Sequence, residues 1–188
     1  MDQLRVQRER DFSPHHILLG AAYTALEDSK EKRPGYFNYE LACITFSALA
    51  LEALGNAFGN KFIDRWGDFE SASPIAKLRL VCQRFEITPN FERKPWSTAL
   101  WLVKFRNKVA HAKPEFIKEE RVLTRAEYDA LRMEYPASKL EKQVSLENAE
   151  KAFACVHDIH IMLCERIPAN KIAGLIADGW SSQAGVYQ

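Results

Sequence analysis

Cysteine is scarce in this chain, and the N-terminus has no apolar segment. The four cysteines among 188 residues are separated by 39, 73 and 9 positions and include no Cys-x-x-Cys pair. This spacing is unlike a disulfide framework and favours reduced, mostly buried thiols. Residues 1–11 mix charges of both signs and lack the apolar region of a signal peptide. Both observations predict a cytoplasmic protein.

Net charge is nearly absent as well. The chain has 26 basic and 25 acidic residues, a formal charge of +1, which argues against a nucleic-acid-binding protein that is basic throughout. The distribution is uneven, however. Residues 93–118 hold seven basic residues and one acidic residue, a local charge of +6, and the remainder carries −5. A basic segment on an acidic body favours local binding of an RNA backbone.

Long apolar runs are limited to residues 41–59. Glu52 and Asn56 interrupt this run, and both side chains would be costly in the hydrocarbon core of a membrane. We therefore interpret the run as a buried core helix and expect no membrane association.

Alternating strand patterns with hairpin turns are missing, whereas helix signals recur. Ser13-Pro14 and Ser73-Pro74 each join a cap to a first-turn proline, Thr124-x-x-Glu127 is a capping box, and Ser145 precedes the last apolar-periodic run. The prediction is an all-α fold, a single domain over residues 1–188 with a bundle of about four main helices plus short ones. The predicted helices cover approximately 14–32, 37–58, 75–85, 97–112, 124–135 and 145–167.

Two regions are predicted to lie outside this bundle. Residues 113–144 are charged and interrupted by prolines, which indicates a surface insertion between the last two core helices. The glycine- and serine-containing end, residues 179–188, is predicted to be a flexible tail.

The segment from Trp96 to Pro114 carries the residues with plausible chemistry. At 100° per residue, its apolar residues and its polar residues fall on opposite faces of a helix. Arg106 can bind two phosphate oxygens, and His111 can exchange a proton near neutral pH. Asn107 is four residues from His111 and within hydrogen-bonding reach of it. No acidic residue or cysteine lies close enough in sequence to complete a metal site with His111, so we expect metal-independent chemistry without a cofactor. The polar stripe consists of Lys104, Asn107, Lys108 and His111.

The hexapeptide Arg106-Asn-Lys-Val-Ala-His111 resembles the Arg-x4-6-His motif of the HEPN superfamily, with a polar residue directly after the arginine. The apolar helix around Ala48-Leu-Ala-Leu-Glu52, the motif helix and the long last helix resemble that all-α fold from about residue 13 to 167. The resemblance implies an endoribonuclease that leaves 2′,3′-cyclic phosphate ends. It also implies a homodimer with a composite active site, in a toxin or defence setting where an antitoxin protein would be a partner.

The same resemblance implies residue roles. Arg106 would stabilise the developing phosphorane charge, His111 would transfer protons, and Asn107 would orient His111 or the phosphate. The RNA-binding candidates beside them are Trp101, Lys104, Lys108 and Lys113.

Several alternatives stay open at this point. A HEPN-like chain can be a non-catalytic module that binds RNA, a nucleotide or a protein, or the polar stripe can be solvated surface. Glu52, the lone charge of the apolar helix, either pairs with Arg106 and holds it in place or reaches solvent. His157, His160 and Cys164 share a helix face, but a core border is favoured over a zinc site because no second ligand cluster is evident.

Overall fold

The computed structural model describes residues 4–32, 34–131, 135–172, 174–176 and 179–186. The chain is predominantly α-helical, as the sequence predicted. The elements in order are β1 (Leu4–Asp11), α1 (Pro14–Lys30), α2 (Tyr36–Phe62), α3 (Pro74–Arg84), α4 (Trp96–Ala110), α5 (Arg125–Leu131), α6 (Leu146–Cys164) and β2 (Gly179–Val186). Short 3-10 turns occupy Trp66–Phe69, Glu141–Gln143 and Ala169–Lys171.

Local capping explains where the helices begin. The Ser73 hydroxyl accepts a hydrogen bond from the Ala76 backbone N–H at 3.2 Å, and Ser145 caps α6 in the same way. Thr124 and Glu127 form the reciprocal bonds of a capping box at the start of α5. Ser13 differs, because its hydroxyl donates to the distant Gly174 carbonyl instead of capping α1.

Helix α2 is the centre of the bundle, as its uncharged run predicted. It contacts α1, α3, α4 and α6, and its buried residues are distributed along most of its length. Among the described residues, α2 is long and apolar enough to cross a membrane by length and composition, with a mean hydropathy of 1.5. Half of that apolar window is buried within the protein, and a core helix passes the same test.

The four cysteines are free thiols. Cys43, Cys82 and Cys155 are buried and Cys164 is half-buried. Burial raises the pKa of Cys82 and Cys155 to about 12 and that of Cys43 and Cys164 to about 11. All four are therefore protonated at neutral pH and are poor nucleophiles.

The two ends of the described chain correct the sequence prediction. Strands β1 and β2 pair antiparallel, with Leu4 opposite Val186 and Asp11 opposite Gly179. Residues 179–186 therefore form a strand and not the predicted flexible tail, and residues 187–188 lie outside the described part. These strands were missed because they lie at opposite ends of the sequence. No short turn connects them, so the sequence contains no local hairpin signal.

Residues 111–130 connect α4 to α6 on the surface. Every residue of this stretch is exposed, including apolar side chains such as Phe116 and Val122, and α5 has no buried residue. Most of the region predicted as an insertion thus packs little against the bundle. The chain is buried in the core again at Val144, just before α6.

Close packing at Gly59 joins α2 to the turn at Trp66. A Cβ atom at Gly59 would lie 2.4 Å from the Trp66 indole ring, a distance that real Cβ atoms do not adopt. The glycine is needed here for close approach, and α2 continues beyond it to Phe62. Gly20, on α1, has no atom within 4 Å of the equivalent position.

The two glycines give opposite predictions for replacement by alanine. Gly59→Ala forces the Trp66 ring to move and should lower the free energy of unfolding by about 1–3 kcal/mol. Gly20→Ala, in an open helical position, should raise it by about 0.5–1 kcal/mol because alanine has the higher helix propensity. Urea denaturation of both variants tests the packing, and a neutral Gly59→Ala would contradict it.

Three histidines meet where α1, α6 and residues 174–175 come together. The rings of His15 and His16 are 4.0 Å apart, and His160 lies 5.2 Å from His15 and 5.9 Å from His16. The Nε2 atoms of His15 and His160 lie 3.2 Å and 2.8 Å from the Leu175 carbonyl oxygen. Burial lowers the pKa of His160 from its ordinary 6.5, and the nearby His16 and His157 lower it further, against the Leu175 hydrogen bond, which raises it.

This lowered pKa predicts acid sensitivity. Below pH about 6.5 the unfolded chain binds a proton at His160 more readily than the folded protein, so stability should fall until the folded pKa is reached. His160→Gln keeps an N–H donor but does not titrate, and should flatten the dependence of the unfolding free energy on pH between 5 and 7. The exposed His111→Gln, at the end of α4, is the matched control. Equal pH profiles for wild type and His160→Gln would contradict the prediction.

Candidate functional site at the end of helix α4

Helix α4 presents its two faces as its periodicity predicted. Leu102 and Phe105 are fully buried, while Lys104, Asn107 and Lys108 are exposed. Arg106 lies between the two faces. The candidate site is therefore attached to the core by one face of the helix that carries it.

Arg106 is held by two acceptors. Its Nη2 donates to Glu52 Oε2 at 2.5 Å, and its Nη1 donates to Asn107 Oδ1 at 3.0 Å. The side chains of Arg106 and Glu52 are 32% and 26% exposed, so the ion pair is partly shielded from water. Of the two alternatives for Glu52, pairing with Arg106 is the one that the structure contains. A guanidinium has five N–H donors, and the two in use leave three for a ligand.

Asn107 differs from its predicted geometry. Its side-chain oxygen accepts from Arg106, and in the described part of the chain it has no hydrogen bond with the His111 side chain. The reason is local: Arg106 is the adjacent residue, its guanidinium lies within hydrogen-bonding distance of Asn107, and a charged donor is the stronger partner. Asn107 thus orients Arg106 and not His111.

His111 ends α4. It is the C-cap residue, its backbone N–H donates to the Asn107 carbonyl at 3.0 Å, and its side chain is exposed. The carboxyl end of a helix carries the negative end of the dipole, which favours cations such as protonated histidine and disfavours phosphate. Any phosphate bound here must therefore be held by cationic side chains and not by the helix end.

The predicted RNA-binding residues fall into two groups. Lys104, Lys108 and Lys113 are exposed, and none of them forms an ion pair with a described residue. Lys108 Nζ donates to Gln143 Oε1 at 3.2 Å. Trp101 is half-buried, and its ring packs 5.5 Å from that of Phe105, so much of its indole contributes to the core. The lysines extend a positive surface from α4 into the exposed segment, and Trp101 offers only part of a stacking face.

The zinc alternative has no geometric support among the described residues. No group of three or more histidine, cysteine, aspartate or glutamate side chains is placed to hold a metal ion there. His160 lies instead against His15, His16 and the Leu175 carbonyl, at the core border that was favoured.

One feature of this region has no counterpart in the sequence prediction. Glu52 also lines a groove of about 1050 Å³, together with Asn56 and Lys77. Lys77 is buried although it is charged. Its only sequence signal is a lysine between the apolar residues Ile75 and Leu78 of α3.

Comparison of this chain with protein-family models, curated proteins and solved structures gives no match. The relation to the HEPN superfamily therefore stays a prediction from the motif.

The Glu52–Arg106 pair can be measured by a double-mutant cycle. Glu52→Gln and Arg106→Gln should each destabilise the protein, with a coupling free energy of about 1 kcal/mol because the pair is partly shielded. The exposed pair Arg125–Asp129 on α5 is the matched control, with an expected coupling of about 0.3 kcal/mol. Unfolding free energies from urea titration test both, and equal coupling in the two cycles would show that shielding at Glu52 is unimportant.

Proposed function

We propose that this chain is a metal-independent endoribonuclease of the HEPN type, which cleaves RNA by attack of a 2′-hydroxyl on the adjacent phosphate. The observation that carries the proposal is the position of Arg106. Glu52 and Asn107 hold its guanidinium at one end of α4, and the exposed His111 is near in sequence. Three exposed lysines, which form no ion pair with a described residue, are also near in sequence.

The chemistry requires three functions. A base removes the proton of the 2′-hydroxyl, a cation stabilises the phosphorane, and an acid protonates the 5′-oxygen as its bond to phosphorus breaks. The remaining N–H groups of Arg106 would bind the phosphorane oxygens, and His111 would transfer protons. The products are a 2′,3′-cyclic phosphate and a 5′-hydroxyl end.

A dimer follows from the proton count. One histidine in a chain cannot be base and acid in the same step, so two copies of His111 in a shared cleft would supply both. The proposed enzyme is thus a homodimer with a composite site. A cytoplasmic toxin or defence effector, with an antitoxin protein as its partner, is the setting that the superfamily resemblance supports.

A second function is favoured by one specific observation. Because Glu52 neutralises the charge of Arg106, the pair also suits a structural role, in which the chain is a non-catalytic module that binds RNA, a nucleotide or a protein. Such a module needs the exposed lysines but not the proton chemistry of His111.

Cleavage in the presence of a chelator separates these functions. Wild-type protein incubated with RNA and EDTA should give 2′,3′-cyclic phosphate ends, and Arg106→Ala and His111→Ala should each lower the rate at least about 100-fold. Arg125→Ala, which removes an exposed arginine on α5, should cleave at the wild-type rate.

Two other outcomes are informative. Salt-sensitive binding of RNA without cleavage would support the non-catalytic module. Equal degradation by wild type and both site variants would indicate a contaminating nuclease and contradict the enzymatic proposal.

A further inference from the structure

A lysine whose side chain is almost entirely buried lines the groove next to Glu52 and has no ion-pair partner among the described residues. The groove lies between the start of α1, helix α2, the turn at Trp66, helix α3 and residues 174–175. Lys77 lines it and is only 5% exposed. Among the described residues its ammonium group has no hydrogen bond and no ion pair, although buried lysines are rarely left unpaired.

The described carboxylates of the groove form no ion pair with Lys77. Asp11, Glu52 and Glu70 line the groove, but none of them forms an ion pair with Lys77, and Glu52 is already bound to Arg106. Lys77 is almost entirely buried, its ammonium group reaches the groove, and no described anion lies within ion-pair distance of it. A lysine retained in such a place is explained if an anion from outside the chain completes it.

A second polar group in the same groove is also unsatisfied. Asn56 lies one helical turn from Glu52, and its buried Oδ1 atom has no hydrogen-bond partner in the described structure. Rotation of the amide turns either its oxygen or its NH2 group toward the groove, where a ligand hydroxyl or carbonyl can meet it. The walls between these polar points are apolar and include Leu18, Leu49 and Trp66.

The charges of the groove limit what kind of anion it can take. Among the described residues, three carboxylates line it (Asp11, Glu52 and Glu70), and Lys61, Lys77 and the Arg106 partner of Glu52 offset them. This balance leaves no excess positive charge for a polyanion such as a triphosphate. It suits one acidic group on an otherwise uncharged organic molecule, and the volume of about 1050 Å³ is ample for such a ligand.

We propose that this groove binds a small organic acid. Its carboxylate or phosphate monoester accepts hydrogen bonds from the Lys77 ammonium group, and its apolar or aromatic body packs on Trp66 and Leu18. This site is distinct from the Arg106–His111 end of α4 and does not depend on the nuclease proposal, although Glu52 contacts both.

Matched pairs of charged and uncharged probes test the site in the full-length protein. Phenylacetate and phenylacetamide form the carboxylate pair, and AMP and adenosine form the phosphate pair. Binding is measured by titration calorimetry and by NMR shift changes of the Trp66 indole N–H. At least one acid should bind wild type about 10-fold or more tightly than its uncharged analogue, the effect of a charge-assisted hydrogen bond. Which pair shows the difference identifies the acidic group.

Substitution of the lysine gives the second arm. Lys77→Met keeps the length of the side chain without its charge and should weaken binding of the acid about 10- to 100-fold, with the uncharged analogue unaffected. Lys61→Met, which removes an exposed lysine of the same groove, should change the affinity less than about threefold. Without ligand, Lys77→Met should melt at least as high as wild type, because an apolar side chain replaces an almost fully buried lysine that has no described ion-pair partner.

Three results would overturn the proposal. The first is that neither acid binds wild type at concentrations up to about 10 mM. The second is that charged and uncharged analogues bind equally, a test that stands even if Lys77→Met fails to fold. The third is that Lys77→Met retains the wild-type affinity for the acid. None of these measurements depends on RNA cleavage. Failure of the groove proposal can therefore be distinguished from failure of the nuclease proposal.

Discussion

The ion pair between Glu52 and Arg106 connects the core of this protein to its candidate chemistry. Glu52 is the only charged residue in the run from residue 41 to residue 59, on the helix that the other main helices surround. A carboxylate in that position requires a partner, and Arg106 supplies it from α4. The orientation of α4 about α2 is thereby restricted by charge as well as by the packing of Leu102 and Phe105. The same contact holds the guanidinium beside the exposed end of the helix.

The end of α4 and the groove differ in their electrostatics. At the end of α4, the lysines are exposed and the helix dipole opposes anion binding, so the RNA that we propose as ligand would depend on contacts between several phosphates and several side chains. In the groove, the almost fully buried Lys77 lies near apolar residues and carboxylates, so one cation is placed to meet one acidic group. An extended polyanion fits the first surroundings and a small acid the second. Glu52 is the one residue that faces both.

Much of the helical architecture could be predicted from local signals. The caps at Ser73 and Ser145 and the capping box at Thr124 place the starts of α3, α6 and α5 within a residue or two, because capping depends on atoms only three residues apart. The start of α1 followed from its first-turn proline, since Ser13 bonds Gly174 and does not cap the helix. The exposed and buried faces of α4 followed from periodicity alone. The partner of Glu52 was one of two alternatives in the sequence, and the hydrogen bond between Asn107 and Arg106 was not among the contacts expected for Asn107. Side-chain geometry at a helix end depends on which donor is nearest in space, which periodicity does not specify.

The sequence by itself determined that the chain is all-α, that α2 is central, and that Arg106, Lys104 and Lys108 lie away from the most buried face of α4. These properties depend on residues within one or two helical turns of each other. Only the tertiary structure decided that β1 pairs with β2, that Gly59 accommodates Trp66, and that Lys77 is buried without an anion. Each of these features depends on how different elements pack against each other. Burial of apolar surface decides which faces pack together. The polar groups on those faces are thereby brought together or left unpaired, irrespective of their distance in sequence.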